Sequence, residues 1–170
     1  MKLPEVFDIL IITLSDRASA GVYEDLSGRA IKERIVEFFD SLGWRCKIDN
    51  LIIPDDAGML GDVMVRAAAE RNLIFTTGGT GIGPRDITVD VIKPLLEREL
   101  PGIMEYIRVR YGAENPNALL SRAVAGVAGE ALIYTLPGSV KAVGEYLTEI
   151  LKTLKHTVLM QYGIDAHHTH

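Results

Sequence analysis

A stretch rich in glycine and threonine, Thr76–Asp86, holds the residue types best suited to bind phosphate. It follows the apolar run Leu73–Phe75 and precedes Ile87–Ile92, which predicts a junction between a strand and a helix. Glycine lets the backbone approach a ligand closely, and the start of a helix adds a partial positive charge. We therefore predict a phosphate-binding loop here, with a flexible turn as the alternative.

Two widespread phosphate-binding motifs do not describe this stretch. The P-loop of nucleotide hydrolases ends in Lys-Ser or Lys-Thr, and no lysine follows the glycines here. The dinucleotide fingerprint usually follows the first strand of its domain, whereas this stretch follows the third predicted strand. The loop is thus expected to bind phosphate in some other way.

Two carboxylates, Asp55 and Asp86, each lie just beyond the carboxyl end of a predicted strand. In an open α/β sheet such positions converge on one crevice. Two carboxylates there can hold Mg²⁺, which prefers oxygen ligands and bridges phosphates. The alternative for Asp55, as for its neighbour Asp56, is capping of the next helix, and the alternative for Asp86 is a turn before Thr88.

Arginine and serine side chains in the same loops are further candidates. Arg17 and Arg85 can neutralise phosphate by bidentate contact, with an ordinary surface position as an equal alternative. No recognisable sequence pattern places a general base next to Ser15, Ser121 or Ser139. We therefore expect these hydroxyls to donate hydrogen bonds to phosphate rather than to act as nucleophiles.

The segments around these loops predict alternating strands and helices. The predicted strands are Val6–Leu14, Trp44–Ile53, Leu73–Thr77, Val124–Val127 and Ala131–Leu136, the last two as a hairpin or as two adjacent strands. Amphipathic helices separate the first three strands, a polar loop spans Ser15–Asp25, and a long helix follows the last strand. A helix that contains Val89, Ile92, Leu95 and Leu96 is predicted after the glycine-rich loop, with Pro94 bending it. This order predicts an α/β fold, a three-layer α/β/α sandwich with a mainly parallel sheet and an antiparallel edge strand. One domain is expected to cover residues 1–170.

Composition narrows the class of protein. The 170 residues carry a net charge of −5, which argues against nucleic-acid binding through a broad basic face. No apolar run approaches the ~20 residues that cross a bilayer, and the N-terminus lacks the apolar segment of a signal peptide. A soluble, cytoplasmic protein without a membrane partner is therefore expected. The single cysteine, Cys46, rules out a disulfide within the chain, and the histidine-rich end Ala166–His170 is expected to be a frayed tail rather than a metal site.

Several motifs in a fixed order resemble the MogA/MoaB family of molybdenum-cofactor biosynthesis, whose fold also forms the G domain of gephyrin. They are Ser15–Ser19, Gly21–Asp25, Ile53–Asp55, Thr76–Gly81, Pro84–Thr88, Leu119–Arg122 and Leu136–Ser139. The resemblance runs from about Phe7 to Leu154. It implies a molybdopterin adenylyltransferase that uses ATP, molybdopterin and Mg²⁺ and releases pyrophosphate.

The resemblance also implies roles for individual residues. The two functional aspartates of the family match Asp55 and Asp86, which are therefore expected to bind the metal and to take part in catalysis. The nucleotide is expected at Thr77, Gly78, Gly79, Thr80 and Gly81, with Pro137, Gly138 and Ser139 nearby. The pterin and its phosphate are expected at Ser15, Arg17 and Ser121. Family members are commonly trimers and some are hexamers, so a homotrimer is expected, with partner proteins in the same pathway.

Two alternatives keep the fold but change the function. Some MoaB-type members bind molybdopterin without established adenylyltransferase activity, and Gly83–Asp86 resembles both subtypes. A domain related to CinA proteins would instead act on another phosphorylated or nucleotide compound.

Overall fold

The first strand lies inside the sheet, next to an edge strand, and is buried on both faces. In the computed structural model, which describes residues 2–164, this strand is β1 (Phe7–Leu14). Phe7, Ile9 and Ile11 enter one apolar core, while alternate residues such as Leu10 and Ile12 enter a second. Side chains alternate across a strand, so a nearly continuous apolar run is what burial on both faces requires.

The remaining elements follow in alternation. The helices are α1 (Asp16–Ser19), α2 (Leu26–Ser41), α3 (Ala57–Glu70), α4 (Thr88–Ile92), α5 (Pro101–Gly112) and α6 (Val140–Gln161). The further strands are β2 (Cys46–Ile53), β3 (Leu73–Thr77), β4 (Arg98–Glu99), β5 (Ala125–Ala128) and β6 (Ala131–Leu136). Short 3₁₀ helices span Lys93–Leu95 and Pro116–Leu120.

The six strands form one sheet in the order β2-β1-β3-β6-β5-β4. Strands β2, β1, β3 and β6 are parallel to one another, β5 is antiparallel to β6, and β4 is antiparallel to β5. Helices α2, α5 and α6 contribute to the core on one face, and α3 and α4 contribute to the core on the other. The predicted three-layer sandwich with an antiparallel edge is confirmed, and the unpredicted β4 widens that edge by one strand.

Two local predictions were wrong. The loop predicted over Ser15–Asp25 contains the one-turn helix α1, because the Ser15 hydroxyl accepts a hydrogen bond from the amide of Ala18 and caps that turn. The helix predicted to continue beyond Pro94 ends at Ile92 and passes into a 3₁₀ turn, since proline has no amide to donate to an α-helix.

The connections between the strands diverge beside β1. The chain leaves β1 for β2 on one side, then crosses over to β3 on the other. In open parallel sheets the crevice at the carboxyl ends of such strands binds ligands. Within residues 2–164, no helix is long and apolar enough to cross a bilayer. The histidine-rich end, 166–170, lies outside the described residues.

Candidate active site

A crevice of about 500 Å³ opens at the carboxyl edge of the parallel strands. Each parallel strand contributes to its wall through the segment that follows it. These segments supply Ser15 after β1, Asp55 after β2, Gly78–Gly81 after β3 and Gly138 after β6. The structure thus brings together the predicted glycine-rich loop and both predicted carboxylates, Asp55 and Asp86.

The glycine-rich loop is anchored through four consecutive carbonyl oxygens. Thr88 holds the first two, because its hydroxyl donates to Gly78 O at 2.8 Å and its amide donates to Gly79 O at 3.1 Å. Arg122 holds the next two, because its amide donates to Thr80 O at 2.8 Å and its Nε donates to Gly81 O at 2.7 Å. Thr88 and Arg122 therefore hold the loop through its carbonyl oxygens.

The amides of this loop are left for a ligand. In a planar trans peptide the N–H points opposite to the preceding C=O, so the amides of residues 79–82 point away from Thr88 and Arg122. In the described part of the chain, none of these four amides donates a hydrogen bond to protein. Successive free amides form a concave anion-binding site.

Two glycines are required for this geometry. Gly78 has a φ of +100° and Gly79 a φ of +67°, which are conformations that other residues rarely adopt. A Cβ at Gly78 would lie 2.3 Å from the carbonyl oxygen of Leu14, and a Cβ at Gly79 would lie 2.4 Å from Thr88 Oγ1. Only glycine allows the loop to lie this close to β1 and α4.

The ionisation of Asp55 is perturbed by its place in the crevice. Partial burial raises the pKa of Asp55, and the negative charge of Asp86 raises it further. A cation bound between Asp55 and Asp86 would offset this effect and favour the ionised form of Asp55. The two carboxylates fit Mg²⁺, which is bound in proteins by one or two carboxylates together with substrate phosphates and water. No group of three or more His, Cys, Asp or Glu residues that could hold a metal occurs among residues 2–164.

The structure separates Asp55 from its neighbour Asp56. The Asp56 side chain accepts a hydrogen bond from the amide of Met59 at 2.7 Å and caps α3. Asp55 instead exchanges hydrogen bonds with Asp16, since each side chain accepts from the other's amide, at 3.3 and 3.0 Å. The capping alternative is therefore correct for Asp56 and wrong for Asp55.

The arginines predicted for phosphate differ in position. Arg85 lines the crevice and forms an ion pair with Asp16. Arg17 is exposed, is not among the residues that line the crevice, and stacks over the ring of Tyr23 at 5.2 Å.

Several other predicted site residues lie around the crevice and outside its lining. Pro137 accepts a hydrogen bond from the Thr77 hydroxyl at 2.7 Å through its carbonyl, and Ser139 caps α6. Ser121 lies behind the loop, 3.5 Å from Thr80 Oγ1, and lines a second cavity next to α5. Its hydroxyl accepts a hydrogen bond at 2.9 Å from Tyr146.

Sequence reasoning missed two residues that shape the site. Thr88 and Arg122 anchor the loop, yet neither has a neighbouring motif that reveals its partners. The signal that the sequence offered was their place in the motifs Pro84–Thr88 and Leu119–Arg122.

Comparison with known proteins agrees with this fold and site. A family model described as "Probable molybdopterin binding domain" matches residues 10–156. Molybdopterin adenylyltransferase of Helicobacter pylori (strain J99) is 35% identical over 162 residues, which cover 94% of this chain and 90% of that protein. Gephyrin of Dictyostelium discoideum is 37% identical over 164 residues, which cover 92% of this chain and only 23% of that longer protein.

A solved structure gives the same result at the level of the fold. The crystal structure of the molybdopterin biosynthesis enzyme MoaB from Thermus thermophilus superposes with a TM-score of 0.79 and 37% sequence identity. The match covers 92% of this chain and 97% of that one. The family match over most of the chain, together with these relatives of comparable length, shows that the chain belongs to the MogA/MoaB family of molybdopterin-binding domains.

Proposed function

We propose that this protein is a molybdopterin adenylyltransferase of molybdenum-cofactor biosynthesis, which transfers AMP from ATP to molybdopterin. The observation that carries the proposal is the meeting of an open row of loop amides with two carboxylates in one crevice. The H. pylori relative, named molybdopterin adenylyltransferase, matches 94% of this chain, which supports the same activity here.

The loop supplies the nucleotide site. The free amides of residues 79–82 bind phosphate oxygens of ATP, and the start of α4 adds a partial positive charge. Arg85 at the wall of the crevice can exchange its ion pair with Asp16 for a contact with phosphate. The pterin then occupies the part of the crevice near Ser15.

The reaction is a displacement at phosphorus that needs no protein nucleophile. A terminal phosphate oxygen of molybdopterin forms a bond to the α-phosphorus of ATP. The bond from that phosphorus to the bridging oxygen breaks, and pyrophosphate leaves with the electron pair. The protein accelerates such a reaction by aligning the two substrates and by neutralising charge. The contacts of the three serines agree with a reaction that needs no protein nucleophile. Ser15 forms a hydrogen bond with Tyr23, Ser121 forms one with Tyr146, and Ser139 caps α6.

Asp55 and Asp86 are the residues that would hold Mg²⁺. When bound, the ion neutralises phosphate charge and helps to orient the phosphates. The two carboxylates must be ionised to bind it, so a pKa of Asp55 above its ordinary value makes metal binding weaken at a higher pH than for an unperturbed aspartate.

The proposal is tested with purified protein, molybdopterin, Mg²⁺ and ATP labelled at the α-phosphate. Adenylylated pterin and pyrophosphate are expected in equal amounts. Asp86→Asn and Asp55→Asn are expected to lower turnover by about 100-fold or more, as when other groups that stabilise transition-state charge are removed. Asp56→Asn is the matched control, because Asp56 caps α3, does not line the crevice, and asparagine caps equally well.

A binding protein without chemistry is the second candidate. It is favoured by the segment Gly83–Asp86, which resembles the MoaB subtype as much as the MogA subtype. It predicts pterin binding that Asp86→Asn leaves nearly intact, and no labelled product from the wild-type protein. That combination of results would overturn the first proposal and support the second.

We also propose a homotrimer in the cytoplasm that works with other proteins of the same pathway. Light scattering after size exclusion measures the number of subunits. A monomer at the concentrations used in the assay would contradict this part of the proposal.

A further inference from the structure

Arg122 contacts both ends of the loop that carries Asp86. Its Nε donates to Gly81 O at 2.7 Å, and its Nη2 donates to Asp86 O at 2.8 Å. Its own amide donates to Thr80 O at 2.8 Å. One side chain thus spans the loop from residue 81 to residue 86.

The guanidinium is itself held in place from α4. Nη1 lies 2.7 Å from Asp90 Oδ1 and Nη2 lies 3.1 Å from Asp90 Oδ2, which is a bidentate pair. The hydrogen bond from Arg122 also lowers the pKa of Asp90. The backbone on either side of Arg122 is fixed by Arg108, which donates to Ser121 O at 3.4 Å and to Ala123 O at 3.0 Å.

The loop has few internal contacts that could replace this support. The Asp86 carboxylate accepts from the amide of Gly83 at 2.8 Å, and the amide of Asp86 donates to Gly83 O at 3.0 Å. These two bonds close a small turn but do not attach it to the sheet. Beside the exposed ion pair of Arg85 with Asp16, Arg122 supplies that attachment. Its planar fork reaches several acceptors at once, whereas a lysine ammonium offers only a point charge.

We propose that Arg122 is a positioning residue that holds the Asp86 loop in the geometry needed for adenylyl transfer. Its catalytic consequence rests on the function proposed above. Arg122 does not line the crevice, so it acts through the loop and not on the substrates. The hydrogen bonds from the Arg122 side chain to Gly81 O and Asp86 O form a clamp on the loop. Loss of this clamp displaces Asp86 relative to the reacting phosphates. Thr88 continues to hold Gly78 and Gly79 for nucleotide binding.

The test compares Arg122→Lys with Arg66→Lys. Arg66 is the matched control because it is exposed and its Nε donates to Asp62 O in its own helix. For Arg122→Lys, kcat is expected to fall by about 10- to 100-fold with little change in the KM for ATP, since small displacements near the reacting atoms have costs of this size. Hydrogen exchange in the peptide covering residues 81–88 is expected to become faster, while exchange in the sheet stays unchanged.

Chemical rescue tests whether a guanidinium group at this position restores kcat. The Arg122 side chain is 35% exposed, so a small cation can enter the space left by Arg122→Ala. Millimolar guanidinium is expected to restore part of kcat, and methylammonium at the same concentration is not. Arg66→Ala is expected to respond to neither cation.

Wild-type kcat together with wild-type exchange over residues 81–88 in Arg122→Lys would overturn the inference. So would faster exchange spread over the whole sheet, because that reports general destabilisation. Hydrogen exchange needs no substrate, so it tests the clamp independently of the reaction. If the wild-type protein shows no turnover but exchange over residues 81–88 depends on Arg122, the proposed function is overturned and the clamp is still supported. If Arg122→Lys does not fold, Asp90→Asn weakens the same clamp and is expected to act in the same direction.

Discussion

Replacing Gly79 by alanine tests how tightly the phosphate-binding loop is anchored. Gly79 and Gly43 have the same φ of +67°, but their surroundings differ. A Cβ built at Gly43 meets no atom within 4 Å, whereas one built at Gly79 lies 2.4 Å from Thr88 Oγ1. Comparing Gly79→Ala with Gly43→Ala therefore separates the cost of crowding from the cost of the backbone conformation.

The size of the difference follows from the contacts of Thr88. Alanine in a left-handed conformation costs about 1–2 kcal/mol at either position. At Gly79 the buried Thr88 must also move, and rotation alone does not relieve the crowding because Thr88 Cβ and N lie at 3.3 and 3.4 Å. Overpacking costs about 1–3 kcal/mol. Loss of the hydrogen bond from Thr88 to Gly78 O adds about 0.5–1.5 kcal/mol.

Gly79→Ala is thus expected to be less stable than Gly43→Ala by about 1.5–4.5 kcal/mol. Urea denaturation measures this as a lower midpoint with an unchanged slope. A difference near 3 kcal/mol corresponds to roughly 6–12 °C in Tm for a protein of this size. Equal stabilities of the two variants would refute the reasoning, because they would show that the loop relaxes freely around the added methyl group.

Two further predictions concern charged groups. Asp55→Asn is expected to raise the free energy of unfolding at neutral pH, because burial and the charge of Asp86 raise the pKa of Asp55 and disfavour its ionised form in the folded protein. The gain shrinks as the pH falls through that raised pKa, and urea denaturation at neutral and mildly acidic pH measures it. Arg71→Met is expected to lower stability, because Arg71 bridges Asp8 and Asp49. The hydrogen bond from Arg71 lowers the pKa of Asp49 in the folded protein. The loss of stability is therefore complete above about pH 3.9, the ordinary pKa of aspartate, and shrinks as the pH falls through the lowered pKa. Thermal melts at several pH values measure it.

Neighbouring residues provide the controls for both variants. Asp56→Asn retains a helix-capping side chain and is expected to give no gain in stability. Arg66→Met is expected to have little effect, since Arg66 is exposed and donates within its own helix. A loss of stability in Asp55→Asn at neutral pH, or an effect of Arg71→Met that is the same at every pH, would contradict these predictions.

Much of the fold follows from local patterns in the sequence. The apolar run at Phe7–Leu14 predicts a strand buried on both faces, and its residues do enter two separate cores. The glycine-rich stretch at Thr76–Asp86 predicts a loop between a strand and a helix, which lies between β3 and α4. Such predictions succeed because side-chain periodicity and the conformational freedom of glycine act over a few residues.

Other local predictions failed where neighbouring contacts decide the outcome. The two-residue β4 is too short to have a pattern of its own and exists because it pairs with β5. The turn α1 depends on the cap that Ser15 supplies. In both cases one or two hydrogen bonds set the structure, and residue composition does not reveal them.

The sequence by itself determined that a phosphate-binding loop and two candidate carboxylates, Asp55 and Asp86, follow different strands. Only the tertiary structure decided that Asp55 turns to the crevice while Asp56 caps a helix, and that Arg122 holds the loop from behind. The reason is physical. Local sequence governs which segment forms a strand, a turn or a helix, whereas the partners of a charged side chain depend on which distant segments the parallel sheet brings to the same edge.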